Sequence, residues 1–170
     1  MILEIISIFF IIVGLLMLFT VSFLARLNNN FPKEKRKELS KFCILIPARD
    51  ESKVIEDLLI SIKNQTKKVN MKDVYIIIEN EEDPTNNIAK KYGATIFIRK
   101  KLNLKRKGYA LDELIKDLEE KKIYYDAYFI LDADNVLDKD FLKEMEKSYQ
   151  QGYDIIESFP FFKFRYPIAI

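Results

Sequence analysis

The chain has 170 residues, room for about one ordinary domain, with 28 basic and 26 acidic side chains, one cysteine and no histidine. These counts exclude Ser-His and Cys-His catalysis, histidine-ligated zinc and any disulfide framework within one chain. A metal would have to be held by oxygen ligands, which points to magnesium or manganese, and the near-balanced charge offers no nucleic-acid surface.

The first element is apolar throughout. No charge falls between Ile5 and Ala25, and about 20 such residues suffice for a helix to cross a hydrocarbon core. A cleaved signal peptide is the alternative. It fits less well, because the chain opens on Glu4 rather than a basic segment and no small-x-small site closes the run. Residues 1–26 are therefore expected to be a transmembrane helix. Residues 27–41 form a basic juxtamembrane linker, with Arg26, Lys33, Lys35, Arg36, Lys37 and Lys41 opposed only by Glu34 and Glu38. That collar suits anionic lipid headgroups and places a single-pass protein's globular domain on the cytoplasmic side. The globular domain is expected over residues 42–170.

Short apolar runs then alternate with helical periodicity. Phe42 to Ile46 predicts a buried strand stopped by Pro47. Val54, Ile55, Leu58, Leu59 and Ile62 recur at helical spacing, with Asp50 or Ser52 as the expected cap. Cys43 reads as a small core residue. Val74 to Ile78 is a second strand, Asn86 to Tyr92 a short helix ending at Gly93, and Thr95 to Ile98 a third strand. A helix carries Ala110, Leu111, Leu114, Ile115 and Leu118 on one face. Ala127 to Leu131 is a fourth strand, Phe141 to Tyr149 a helix, and Tyr153 to Ile156 a last strand. Apolar strands without polar alternation, separated by helices, predict a doubly wound α/β domain with a mainly parallel sheet. Its sites belong beyond the carboxyl ends of the strands.

Three of the loops on that edge are acidic: Arg49-Asp50-Glu51, Glu79-Asn80-Glu81-Glu82-Asp83 and Asp132-Ala133-Asp134. Taken singly, each reads equally as a helix cap or a solvated turn. Gathered on one edge, they repel unless cations or donors hold them. A divalent ion between Asp132 and Asp134 leaves positions for phosphate oxygens, the arrangement magnesium favours. The run Arg99, Lys100, Lys101, Lys105, Arg106, Lys107 is either a solvated loop or an approach to a diphosphate ahead of a helix start, with Lys107 the best single candidate.

Four segments carry a resemblance. ILIPARDESKVIEDLLISIKNQT (44–66), IIIENEEDPT (76–85), KRKGYALDELI (105–115) and LDADNVLDKDFL (131–142) together resemble the nucleotide-binding half of a family 2 glycosyltransferase, of the GT-A fold and the cellulose-synthase-like superfamily. The likeness runs from about Phe42 to Glu157 in order and spacing. It implies a Rossmann-like GT-A nucleotide-binding domain and a nucleotide-diphosphate sugar donor. It implies that Pro47, Ala48 and Glu51 line the nucleoside pocket and that Glu79 contacts base or ribose. Lys107 and Asp132 would approach the diphosphate, and Asp134, with Asp132, would hold the bridging Mg2+ or Mn2+. Family members invert: a carboxylate base deprotonates the acceptor hydroxyl, which attacks the anomeric carbon in line.

Two departures accompany it. Glu79 stands where the family usually has aspartate. The family's base, acceptor site and Gln-x-x-Arg-Trp-like segment would follow Ile170, so the expectation is a truncated enzyme, inactive alone, with a separate polypeptide as one way to supply the acceptor half. The alternatives are a non-catalytic membrane-tethered remnant or nucleotide-sugar-binding module, and a haloacid-dehalogenase-type phosphatase using Asp132 as nucleophile. The latter signature normally opens its domain, whereas four predicted strands precede it here. A nucleotidyltransferase would need a glycine-rich loop, and no glycine lies between Gly14 and Gly93.

Overall fold

The computed structural model describes residues 2–28, 36 and 38–156. It divides into two units, residues 1–34 and 35–170, each taken here by itself. The first is one helix, α1 (Ile2–Asn28), whose stretch Glu4–Leu24 is long and apolar enough to cross a membrane. Lys33, Lys35 and Lys37 of the expected basic collar, and the segment from Glu157 onward, lie outside the described residues.

The second unit is built on four parallel strands: β1 (Phe42–Pro47), β2 (Val74–Ile78), β3 (Thr95–Ile98) and β4 (Ala127–Ile130), in the order β3-β2-β1-β4. The register pairs Ile44 with Val74 and Phe129, and Ile76 with Ile96. Successive side chains of a strand point to opposite faces, and β1 feeds two cores accordingly. Ile44 and Ile46 pack with Ile55, Leu58, Leu59 and Ile62 of α2 (Ile55–Lys63). Ala89 of α3 (Thr85–Tyr92) and Phe141, Leu142 and Met145 of α5 (Phe141–Gln150) join them on that face. Cys43 and Leu45 pack on the other face with Tyr75, Ile77 and Ala110, Leu114 and Leu118 of α4 (Lys107–Glu120). Cys43 is fully buried, and burial, with the Asp73 carboxylate adding to it, pushes its thiol pKa up to about 12. The expected core cysteine is thus a core cysteine. Helix α3 ends at Gly93, which takes the left-handed conformation (φ 77°) that glycine adopts without strain.

Several expectations are corrected. Neither Asp50 nor Ser52 caps α2. The amides of Val54 and Ile55 both bond to the Glu51 carbonyl (3.1 and 3.0 Å), so a backbone turn replaces a side-chain cap. Asp50 itself has a left-handed backbone, φ 57°. The first turn of α4 includes Lys107, which was expected to precede the helix. Strand β4 stops at Ile130 and is not buried on both faces: Tyr128 is 38% exposed and Ile130 57%, because α4 covers β1 and β2 and leaves the edge strand's face open. Residues 153–156 do not form a strand. The Tyr153 carbonyl accepts from the Arg36 guanidinium at 3.2 Å, so it is held by a side chain where a strand would need a ladder.

Candidate functional site

The strand order reverses direction of growth at β1, with β2 on one side and β4 on the other. In an open parallel sheet the crevice beyond the carboxyl ends at such a switch point is where ligands bind. The loops after β1, β2 and β4 do open on this edge, and a cavity of about 170 Å³ lies there. Its walls are Pro47, Ala48, Arg49, Glu51, Ile77, Glu79, Arg99, Lys105, Arg106, Lys107 and Ala110. Five of the seven residues expected at the site, Pro47, Ala48, Glu51, Glu79 and Lys107, therefore meet in one cavity. The other two, Asp132 and Asp134, are not among its lining residues, but Lys107 Nζ reaches Asp132 Oδ1 at 2.7 Å. A larger groove of about 650 Å³, along β4 and α5, contains none of the seven.

Three carboxylates of the acidic loops, Glu79, Asp83 and Asp132, are held by partners within the chain. Glu79, 24% exposed, lies between Arg49 (3.4 Å) and Arg99 (3.4 Å). Asp83 is buried; its Oδ1 accepts the Thr85 amide at 2.8 Å and its Oδ2 the Asp50 amide at 3.1 Å. Burial alone would push the Asp83 carboxyl upward. The nearby Thr85 hydroxyl and the bonds from the Thr85 and Asp50 amides outweigh it and leave the group below the usual carboxylate range. Asp83 thus starts α3 and ties the first two loops together, which is the capping alternative rather than a ligand role.

The Asp132-Ala133-Asp134 turn is closed by its next residue. Asn135 Oδ1 accepts the Asp132 amide at 2.9 Å, while the Asn135 amide donates to the Asp132 carbonyl at 3.0 Å. Ala133 is buried and both aspartates are exposed. Behind the turn, polar side chains of α2 and the residues after it hold the chain in place. Ser61 Oγ accepts the Leu137 amide (3.1 Å), Gln65 donates to the Asp138 carbonyl (2.6 Å) and accepts the Leu142 amide (3.0 Å), and Thr66 Oγ1 donates to Asp140 (2.7 Å). Sequence reasoning missed Ser61 and Gln65. The signal was there: both stand at helical spacing on the apolar face of Leu58 and Ile62, where a polar residue needs an internal partner.

Sequence reasoning also misplaced Arg99. It was counted with the basic run, yet it is 6% exposed and turned inward. It walls the cavity from within, together with the more exposed Lys105, Arg106 and Lys107. Among the described residues, no group of three or more acidic, cysteine or histidine side chains is arranged to hold a metal ion. The donor set of this edge is two exposed carboxylates on one turn, the first already bonded to a lysine. Such a set does not make a closed protein cage, and it fits a cation that completes its shell with phosphate oxygens and water.

Comparison with known proteins gives one family. The model described as "Glycosyl transferase family 2" matches residues 43–164, well over half of the chain. No curated protein sequence matches significantly. Among solved structures, the chain is similar to S. aureus TarS 1-349, with 21% identity, a TM-score of 0.49, and coverage of 62% of this chain and 31% of that one. The same protein in complex with UDP-GlcNAc matches at 21% identity and a TM-score of 0.45, over 62% and 30%. A cytidylyltransferase from Leptospira borgpetersenii serovar Hardjo-bovis matches at 22% identity and a TM-score of 0.47, over 66% and 50%. The chain thus spans about a third of the TarS chain it matches.

Proposed function

The chain belongs to glycosyl transferase family 2, and from that premise we propose that it binds a nucleoside-diphosphate sugar across the carboxyl ends of β1, β2 and β4. The observation that carries the reading is the meeting of Pro47, Ala48, Glu51, Glu79 and Lys107 around one cavity, with Lys107 bonded to Asp132. Pro47, Ala48 and Glu51 receive the nucleoside, Glu79 its ribose or base, and Lys107 the diphosphate. Gly108 supports this orientation. Its φ is not positive, and a Cβ there would meet nothing within 4 Å, so folding does not demand glycine. A bare backbone beside Lys107 does let a phosphate approach the start of a helix closely.

Asp134, with Asp132, would hold Mg2+ or Mn2+. A cation there supplies positive charge to the diphosphate as it leaves. The chain's own part is to orient the donor and exclude competing positions for it: the lysine draws the phosphates toward the Asp132 turn, and the nucleoside pocket fixes the opposite end. Inverting transfer then requires a base on the acceptor side, which the family resemblance locates after the Asp-x-Asp segment. For this chain the reading is a membrane-anchored donor-binding part of a glycosyltransferase, with residues 1–26 as anchor, 27–41 as a lipid-facing linker and 42–170 as the cytoplasmic donor-binding domain. The uncharged stretch of α1 and the basic residues after it support that arrangement.

Calorimetric titration of the full chain in detergent with UDP and GDP, with and without Mn2+, tests the site. The expected result is binding of one nucleotide that strengthens with Mn2+ and loses that increment in Asp134→Ala. No binding of either nucleotide, in either condition, overturns the reading.

A further inference from the structure

Behind the cations of the loop after β3 lies a buried ion pair, Arg99 and Glu113. The side chains of Arg99 and Glu113 are 4% and 11% exposed, and their Nε and Oε2 atoms face each other at 3.6 Å. Neither of those two atoms has a hydrogen-bond partner. One terminal nitrogen of Arg99 faces Glu79 Oε1 at 3.4 Å, and the other polar atoms of the pair are directed at the loop backbone. The second terminal nitrogen of Arg99 donates to the carbonyls of Lys101 (3.2 Å) and Leu104 (2.6 Å). Glu113 Oε1 accepts the amides of Lys100 (2.5 Å) and Lys101 (3.3 Å).

Such a pair is a poor device for stability alone, since burying two charges costs much of what their attraction returns. What it does accomplish is geometric. One side chain from a strand end and one from the middle of α4 fix both carbonyls and amides of the loop, and the loop's path delivers the next residues to the cavity wall. Without that restraint, closely spaced cations repel one another and move toward solvent. We propose that Arg99 and Glu113 are positioning residues, a buried clamp that holds residues 100–104 so that Lys105, Arg106 and Lys107 face the diphosphate of a bound nucleotide. The proposal rests on the donor-site reading and adds to it the element that sets phosphate affinity. Glu113 does not line the cavity; Arg99 does, and there it pairs with Glu79 at 3.4 Å.

The test uses Glu113→Gln, Glu113→Ala and Arg99→Lys in the full chain. Glu113→Gln keeps an acceptor for the two amides and loses the charge opposite Arg99; Glu113→Ala loses both. Three quantities are measured: affinity for UDP with Mn2+, affinity for uridine, and the rate of tryptic cleavage within residues 100–107. Glu113→Ala is expected to weaken UDP about tenfold, the scale of one lost charge-assisted contact, to leave uridine unchanged and to speed cleavage. Glu113→Gln is expected to fall between it and the wild type. Arg99→Lys, lacking the fork that reaches two carbonyls at once, is expected to weaken UDP and speed cleavage as Glu113→Ala does. Because Arg99 also pairs with Glu79, the comparison of UDP with uridine is judged in the Glu113 variants. Equal weakening of UDP and uridine, or unaltered UDP affinity in a folded Glu113→Ala chain, overturns the proposal. A wild-type chain that binds no nucleotide overturns the donor site instead, and the tryptic rates distinguish the cases: if Glu113→Ala is cleaved no faster than the wild type, there is no clamp.

Discussion

Lys107 Nζ lies 2.7 Å from Asp132 Oδ1, and both side chains are more than half exposed. The first carboxylate of the Asp-x-Asp turn is thus already engaged by a cation from the opposite loop. An exposed pair of this kind contributes about 0–1 kcal/mol to folding, so its worth must be sought elsewhere. In Lys107→Ala the melting temperature is expected to stay within about 2 °C of the wild type. UDP affinity should drop, and its decline with added salt should become shallower because one phosphate-facing charge is gone. Titrations at two salt concentrations check both; a large loss of stability with unchanged affinity would make the pair structural.

Asn135 closes the turn that carries the two aspartates. Asn135→Ala removes the acceptor of the Asp132 amide, at a cost of about 1 kcal/mol. Both carboxylates remain, yet their spacing is no longer fixed. The strengthening of UDP binding by Mn2+ is expected to shrink several-fold, while binding without the metal stays near wild type. Paired titrations with and without Mn2+ read this directly.

Gln65 joins α2 to the segment after the Asp-x-Asp turn through bonds in both directions. Gln65→Leu leaves the Asp138 carbonyl and Leu142 amide without that partner in a buried setting. A loss of about 2–3 kcal/mol in unfolding free energy is expected, measured by urea denaturation. Gln65→Glu provides the contrast, since it keeps the acceptor for Leu142 and loses the donor to Asp138.

Asp83 links stability to pH. Its folded pKa lies below the ordinary 3.8, so the stability it contributes is fully present above that value and is lost as pH falls through the folded pKa. Asp83→Asn, which cannot ionise, keeps an acceptor for the Thr85 amide but turns an NH2 toward the Asp50 amide. It should be less stable than wild type at pH 7 by about 1 kcal/mol, on the scale of a lost hydrogen bond. The gap between the two should close progressively below pH 4. Thermal unfolding of both proteins from pH 7 to pH 3 provides the check; a constant gap would remove the ionised carboxylate from the explanation.

Much of the domain was legible in one dimension because its strands are short apolar blocks. FCILI, VYIII and TIFI lack polar alternation, a pattern that a sheet covered on both faces requires, and Gly93 marks a helix end by its backbone alone. Where the reading failed, the deciding information was three-dimensional. A strand at Tyr153 to Ile156 needed a ladder partner, which no local pattern reveals. The cap of α2 came from a backbone carbonyl, to which side-chain identity is blind. Among the six cations from Arg99 to Lys107 nothing in the sequence singles out one, and the partners Glu79 and Glu113 decide which turns inward. The seven site residues were identified through a family's ordered motifs, and the structure brings five of them to one cavity.

The open face of β4 also governs how the protein behaves in a tube. Among the described residues β4 is the end strand of the sheet, with Ile130 57% and Tyr128 38% exposed. An apolar edge of this kind is a template on which another chain can add a strand. Detergent that shields the apolar α1 does not cover this edge by design. Self-association of the globular unit therefore starts from side chains remote from the cavity, and Tyr128→Lys is the substitution that reduces it while leaving the nucleotide titration legible.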